Sequence, residues 1–234
     1  MNKKQKVEKT NQQPHVDLGD GVQRFIPQSW YDITVDQYVR LTLTKEFNDI
    51  TFLAIMLGVE EEDILNSSNP NLDIDTYPHL AWYTGETSED FFSRMTDENK
   101  RFMPKEVVLE RDGADITIPI PKDLSMKTYG QKISVEQMLE KNANEPFSIF
   151  PDVVAIYLYP DWSGEKFNLG KALEFKDSHI MKMPIYLAYP IGRFFLMKLQ
   201  DSMHKKLLFW LENMPKKKRE QGLKILKSLS TLKT

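Results

Sequence analysis

The chain has 234 residues, of which 41% are apolar and 28% charged, and its formal net charge is −3. These values are typical of a globular chain with a hydrophobic core, and they exclude a disordered or membrane-embedded one. The absence of cysteine excludes disulfide scaffolds, cysteine-ligated metals and thiol nucleophiles, and it agrees with folding in a reducing compartment.

The first part of the chain is predicted to be an arm followed by an acidic helical half. Residues 1–24 are polar and have little to bury, so they are expected to form an extended arm that a partner orders. In the half at 25–104, Thr34 and Gln37 match a capping box, which predicts a helix to about Thr44. Further helices are predicted over 48–57, 60–63, 73–83 and 88–95.

A two-stranded ribbon is predicted over residues 105–123. Apolar and polar residues alternate on both sides of Asp112-Gly113, which is a strong hairpin signal. Pro119 and Pro121 donate no hydrogen bond, so the second strand must be an edge. Two strands are marginal alone, and the ribbon is therefore expected to pack on the helical body or on a neighbouring subunit.

The remainder, residues 124–234, is predicted to be a second helical half with basic C-terminal helices. Its helices are expected over about 134–142, 148–159, 169–183, 186–213 and 216–231. The resulting fold class is mainly α with one β-hairpin. The N-terminus lacks the apolar region of a signal peptide, and no apolar run is long enough to span a bilayer, so no membrane association is expected.

The two halves share short sequence patterns. Residues 33–37 (ITVDQ) are similar to residues 133–137 (ISVEQ), and residues 54–57 (AIML) are similar to residues 155–158 (AIYL). One interpretation is a duplication of helical halves joined by the ribbon. The alternative is that capping boxes and helix pairs are common enough to match by chance.

Acidic and basic residues are concentrated in two different stretches of the sequence. Residues 46–98 contain thirteen acids and one base, a net charge of −12, whereas residues 198–234 contain ten bases and three acids, a net charge of +7. Three interpretations remain open: a contact between neighbouring copies, two solvated faces, or proximity of the basic run to DNA without sequence specificity. The candidate interface residues are Glu60, Glu61, Glu62, Asp63, Lys216, Lys217, Lys218 and Arg219.

No pattern of catalytic residues emerges. The four histidines are scattered, and Asp73-Ile74-Asp75 is more typical of a loop and helix cap than of a Mg²⁺ site. Ser178 and His179 are neighbours in sequence, which by itself is no catalytic geometry. Neither a phosphate-binding glycine loop nor a Walker sequence is present. We therefore expect no enzyme activity, no cofactor and no metal.

Two phrases carry a resemblance to a known family. Residues 27–38 have the pattern P-x-x-W-x-x-hydrophobic-T-x-x-Q-Y, and residues 183–196 read MPIYLAYPIGRFFL. Both resemble structural proteins of tailed bacteriophages, in particular the proteins of crAss-like podophages that build the neck and tail as stacked rings. The resemblance covers about a quarter of the chain, and its motifs are helix caps and core positions.

The resemblance implies a non-enzymatic virion subunit, made in the host cytoplasm, with about a dozen copies in a ring. Its expected partners are further copies of itself, the portal protein and other neck or tail proteins. The alternative is a tail-assembly chaperone that binds phage proteins during assembly and is absent from the mature particle.

Overall fold

The structure is a computed structural model, and it describes residues 13–44, 46–96, 103–121, 124–142 and 146–213. It is mainly helical with two small antiparallel two-stranded sheets, which confirms the predicted fold class and adds a second hairpin. The chain forms two compact units. The first is Met1–Arg101 with Pro184–Tyr186, and the second is Phe102–Met183 with Leu187–Thr234. The ribbon that the sequence placed between the halves is thus part of the second unit.

The first unit begins with a hairpin that the sequence did not predict. Strands β1 (His15–Asp17) and β2 (Gln23–Phe25) pair antiparallel. The prediction of an extended arm over 1–24 is therefore wrong for this stretch, and residues 1–12 lie outside the described residues.

The turn of this hairpin explains why a polar stretch folds. The Asp17 carboxylate accepts hydrogen bonds from the N–H groups of Gly19 (2.7 Å) and Gly21 (3.1 Å). Gly19 has a φ of +97°, and a Cβ there would meet the side chain of Ser68. The turn also accepts a hydrogen bond at the Leu18 carbonyl from the Ser68 N–H (2.9 Å). Tertiary contacts, rather than burial of the strands alone, thus fix the hairpin.

Six helices follow in the described part of the first unit, where five were predicted. The predicted helix over 73–83 is divided into two, and the others agree to within a few residues. The first begins after Thr34, where Gln37 completes a reciprocal capping box, and the second ends at Gly58, both as predicted. The bounds are α1 (Val35–Leu43), α2 (Asp49–Leu57), α3 (Glu61–Leu65), α4 (Leu72–Leu80), α5 (Trp82–Gly85) and α6 (Ser88–Thr96).

The core of the first unit contains an aromatic cluster around Trp30. Its ring lies 5.5 Å from that of Trp82 and 6.3 Å from that of Phe91, and its side chain is only 3% exposed. The indole N–H of Trp30 donates to the Glu86 carbonyl, and that of Trp82 donates to the Pro27 carbonyl. Because both buried N–H groups have partners, the large rings contribute apolar burial without an unpaired donor.

The second unit begins with the predicted ribbon. Strands β3 (Glu106–Arg111) and β4 (Ala114–Pro119) pair around Asp112 and Gly113, which both have positive φ, as a two-residue hairpin turn requires. Val107 and Ile118 lie opposite each other and are buried. Both strands contact the helix that follows residue 149, so the ribbon packs on the helical body, which was one of the two predicted arrangements.

The helices of the second unit differ from the predicted ones at several ends. The helix predicted to begin at 134 begins at 129, and the one predicted to end at 159 continues past Pro160. The helix predicted over 216–231 lies outside the described residues. The bounds are α7 (Tyr129–Lys141), α8 (Phe150–Ser163), α9 (Leu169–Phe175) and α10 (Ile185–Asn213), with a 3₁₀ turn at Pro146–Ile149 and a π turn at Lys176–Ile180.

The two units repeat one arrangement, but not in the predicted register. In each unit a hairpin is followed by an Ile-Pro pair, a Thr-x-x-Gln helix cap nine residues after the second strand, and a helix pair. The second cap is Thr128 with Gln131, whereas the predicted counterpart at 133–137 lies inside α7. In both hairpins the isoleucine after the second strand donates its N–H to the residue before the first strand, Ile26 to Pro14 and Ile120 to Lys105.

The capping glutamines also make equivalent tertiary contacts. The side-chain N–H of Gln37 donates to the Met56 carbonyl at 2.8 Å, and that of Gln131 donates to the Ile156 carbonyl at 2.7 Å. Both side chains are buried. Each glutamine therefore joins the start of one helix to the backbone of the next.

Candidate interaction surfaces

The predicted acidic interface residues lie at the start of α3, where several have local roles. Glu60 is the N-cap residue, and its N–H donates to the Asp63 carboxylate at 3.1 Å. The Glu61 carboxylate accepts from the Thr51 hydroxyl at 2.8 Å. Glu62 is exposed on the same turn. Acidic side chains are favoured in a first helical turn, so their role at the start of α3 accounts for much of the acidic run at residues 60–63.

The predicted basic partners, Lys216, Lys217, Lys218 and Arg219, lie outside the described residues. The structure therefore places the acidic residues of the predicted interface and leaves its basic residues undescribed. A contact between the two groups stays a prediction.

A second group of carboxylates lies around the N-terminal end of α2, where the sequence signalled no site. Asp49 begins this helix, and the Thr51 hydroxyl reaches Glu61 of α3. From α4, the Tyr77 ring stacks on that of Phe52 at 6.4 Å. Burial raises the pKa of Tyr77, and the charges of Asp49 and of Asp73 raise it further. Asp49 and Asp73 thus both lie close to Tyr77, which brings carboxylates of α2 and α4 together.

Large apolar side chains border these carboxylates. Phe47, just before α2, is 46% exposed, and Ile74, beside Asp73 on α4, is 69% exposed. Ile74 is three residues from Tyr77, so the two lie on neighbouring positions of the same helix surface. We call Phe47, Asp49, Asp73 and Ile74 together the α2-end surface. The sequence did not predict this surface, because in a helical stretch Phe47 and Ile74 have the same character as buried core residues.

Few of the acids in this region have a charged partner. Across residues 46–96 as described, the ion pair found is that between Glu86, which follows α5, and Arg94 of α6. Asp49, Glu61 and Asp73 are all exposed. Like charges on one surface raise the free energy of the isolated fold, and a cationic partner would lower it.

The ribbon of the second unit presents a further exposed edge. Glu106, Val108 and Glu110 point their side chains away from the buried Val107, and Val108 is 50% exposed. The Glu110 carbonyl accepts from the Trp162 indole N–H at 3.0 Å, so this end of β3 is covered. Pro119 lacks an N–H on the opposite edge, which hinders strand addition there.

An open cavity of about 540 Å³ lies in the second unit between the ribbon turn, the end of α8 and α9. The Glu165 carboxylate accepts from the Tyr159 hydroxyl (3.0 Å) and from the Lys171 ammonium (2.7 Å). Lys171, followed by the Tyr159 hydroxyl, holds the pKa of Glu165 below its ordinary value. The lining residues are Arg111, Asp112, Tyr159, Trp162, Ser163, Glu165, Lys171, Glu174, Phe175 and Ser178.

One rim of this cavity holds the Ser178–His179 pair that the sequence analysis set aside. The Ser178 hydroxyl lies 2.7 Å from Nδ1 of His179, and Nε2 of His179 lies 3.1 Å from the Glu110 carbonyl. The hydroxyl also donates to the Glu174 carbonyl at 2.9 Å, and the imidazole stacks on Phe175. With the imidazole bonded at both nitrogens and held by Phe175, the pair serves to anchor the π turn to β3.

Neither a metal site nor a membrane span was found in the part of the chain that the structure describes. No group of three or more metal-binding side chains occurs among those residues, and Asp73 and Asp75 do not form one. The described helices also include none that combines the length and the apolarity needed to cross a membrane.

Comparisons with known proteins returned no relatives. No family model matches this chain, and neither a curated protein nor a solved structure is similar to it.

Proposed function

We propose that this protein is a non-enzymatic virion structural subunit, copies of which form a ring in the portal-proximal neck or tail of a tailed bacteriophage. The observation that carries the proposal is the division of charge. Among the described residues of the first unit, most exposed carboxylates have no ion pair, while the end of the sequence is basic. Complementary poles on one chain favour head-to-tail contacts, and such contacts close into rings when the rotation permits.

The sequence resemblance supports the same function through residues of the fold. Trp30 and Ile33 of the first phrase are buried, and so are Ile185 and Ile191 of the second. Within the first unit, the Ile185 N–H donates to the Ile33 carbonyl at 2.7 Å, which joins the two phrases directly. Residues 184–186 of the second stretch are thus joined to the first stretch within this unit.

Exposed apolar side chains are a second source of support. In addition to the α2-end surface, Leu43 is 52% exposed and Leu65 is 65% exposed in the first unit. Scattered apolar residues are normal on a protein surface, but protein interfaces combine an apolar centre with a polar rim. A subunit whose neighbours are portal and other neck or tail proteins needs contacts of this kind.

Mass spectrometry of purified phage particles tests the proposal. A ring subunit is expected in every particle at a constant ratio to the portal protein, with about a dozen copies per particle. A chain that is abundant in infected cells and absent from particles would contradict it and favour the assembly chaperone.

A further inference from the structure

The α2-end surface has two properties that a single partner can satisfy. It carries the carboxylates of Asp49 and Asp73, which have no ion pair with a described residue, and the exposed apolar side chains of Phe47 and Ile74. A purely ionic partner would leave the apolar groups in water, whereas a purely apolar partner would bury the carboxylates unpaired. The matching partner is therefore both cationic and amphipathic.

The sequence of this chain contains such a segment after the described residues. Residues 214–234 hold seven bases and one acid, a net charge of +6. In a helical period, Leu223, Lys224 and Lys227 fall on one side, while the other four apolar residues of 223–232 fall on the opposite side. The apolar residues of that side are Ile225, Leu226, Leu229 and Leu232.

We propose that residues 214–234 of one copy dock on the α2-end surface of a second copy. This inference rests on the proposed ring and names the contact between its neighbours. The apolar side of the segment lies against Phe47 and Ile74, and the basic run at residues 216–219, which precedes it, reaches the carboxylates of Asp49 and Asp73. The recognition mode is an amphipathic helix that binds a surface of complementary charge. The partner surface thus differs from the predicted one at residues 60–63, where Glu60 and Asp63 are occupied in capping α3.

Charge exchange between two variants tests this contact with the full-length chain. One variant carries Asp49→Lys and Asp73→Lys, and the other carries Lys217→Glu and Lys218→Glu. Each variant alone is expected to associate at least about tenfold more weakly in sedimentation velocity, because like charges then meet. An equimolar mixture regains association, because each variant supplies the complement that the other lacks.

A matched control and an uncharged variant complete the test. Glu89→Lys with Glu140→Lys changes the net charge equally at exposed positions elsewhere and leaves association unchanged. Ile74→Ser weakens association at both low and high salt, since apolar contact is not screened. Circular dichroism checks that every variant is folded.

The possible failures are distinguishable. If the wild-type chain associates but the Asp49/Asp73 variant associates equally well, the docking surface is wrong and the ring stands. If association survives deletion of residues 214–234, another segment occupies the surface and the inference is overturned. A wild-type chain that stays monomeric at every salt concentration would overturn the ring and this contact together.

Discussion

In both units a buried glutamine donates to a helix carbonyl that lacks an intrahelical donor, but that donor is missing for a different reason in each unit. In the first unit, the Met56 carbonyl lies in the last turn of α2, where helix carbonyls lack an intrahelical donor, and Gln37 supplies one. In the second unit, the Ile156 carbonyl lies inside α8, but the residue four positions later is Pro160, which has no N–H. Gln131 supplies the missing donor there.

This difference explains why α8 is longer than α2. A proline in a helix interior leaves an unpaired carbonyl and normally ends or bends the helix. Because Gln131 satisfies that carbonyl, α8 continues to Ser163, whereas α2 ends at Gly58. The same capping residue therefore closes a helix pair in one unit and permits a longer helix in the other.

Replacing the fully buried glutamine should have the largest effect. We expect Gln131→Leu to lower the free energy of unfolding of the second unit by about 2–3 kcal/mol, because it orphans the Ile156 carbonyl and removes half of the capping box. Hydrogen–deuterium exchange of α7 and α8 measures the loss by unit. The control is Gln137→Leu, at an exposed position of the same helix. It should change the free energy of unfolding by less than about 0.5 kcal/mol. Equal losses of stability in Gln131→Leu and Gln137→Leu would contradict a specific role for the Gln131 side chain.

The equivalent change in the first unit should be smaller. We expect Gln37→Leu to cost about 1–2 kcal/mol, because Gln37 is 8% exposed whereas Gln131 is 0% exposed, so the lost donor is less deeply buried in the first unit. Exchange of the α1 and α2 amides gives the measurement. A loss larger than that of Gln131→Leu would reverse the comparison.

A double-mutant cycle separates the two reasons. In Pro160→Ala, the new N–H can donate to the Ile156 carbonyl. In that background, Gln131→Leu should lower the free energy of unfolding by about 1 kcal/mol less than it does in the wild-type chain. Denaturant unfolding of the four proteins gives the coupling energy. Strictly additive losses would show that Pro160 is not the reason for the contact.

Alkaline pH should affect the second unit through Tyr157. Burial, with the charge of Asp161 as a smaller cause, raises the pKa of Tyr157 from 10.0 to about 12. The unfolded chain thus loses this proton first, and its contribution to stability is present below pH 10 and lost as the pH rises to about 12. Between pH 9 and pH 11 we expect a fall of about 1 kcal/mol that Tyr157→Phe reduces. An identical fall in the Phe variant would assign the effect to other groups.

Local signals in the sequence predicted part of this arrangement. Thr34 and Gln37 form a helix cap within four residues, so their pattern is visible in the sequence. The second cap was missed because Tyr129 and Gly130 are weak helix formers and the 133–137 stretch matched the first cap better. The end of α8 was misplaced because Gln131 lies 25 residues from Ile156, beyond any local pattern.

The candidate surface was harder to predict than the fold. The acidic composition of residues 46–98 is evident, but composition does not separate acids that cap helices, such as Asp63, from acids that remain exposed, such as Asp73. Likewise, Ile74 has the same sequence character as a buried isoleucine. Only the packing of α4 against α2 shows which side chains face outward.

The central claim about function is that this chain works as one of many associated copies. Sedimentation velocity of the purified full-length protein at low salt tests it most directly. We expect a single closed species of about a dozen copies that dissociates as salt screens the charges. A monomer at every concentration and every ionic strength would contradict it.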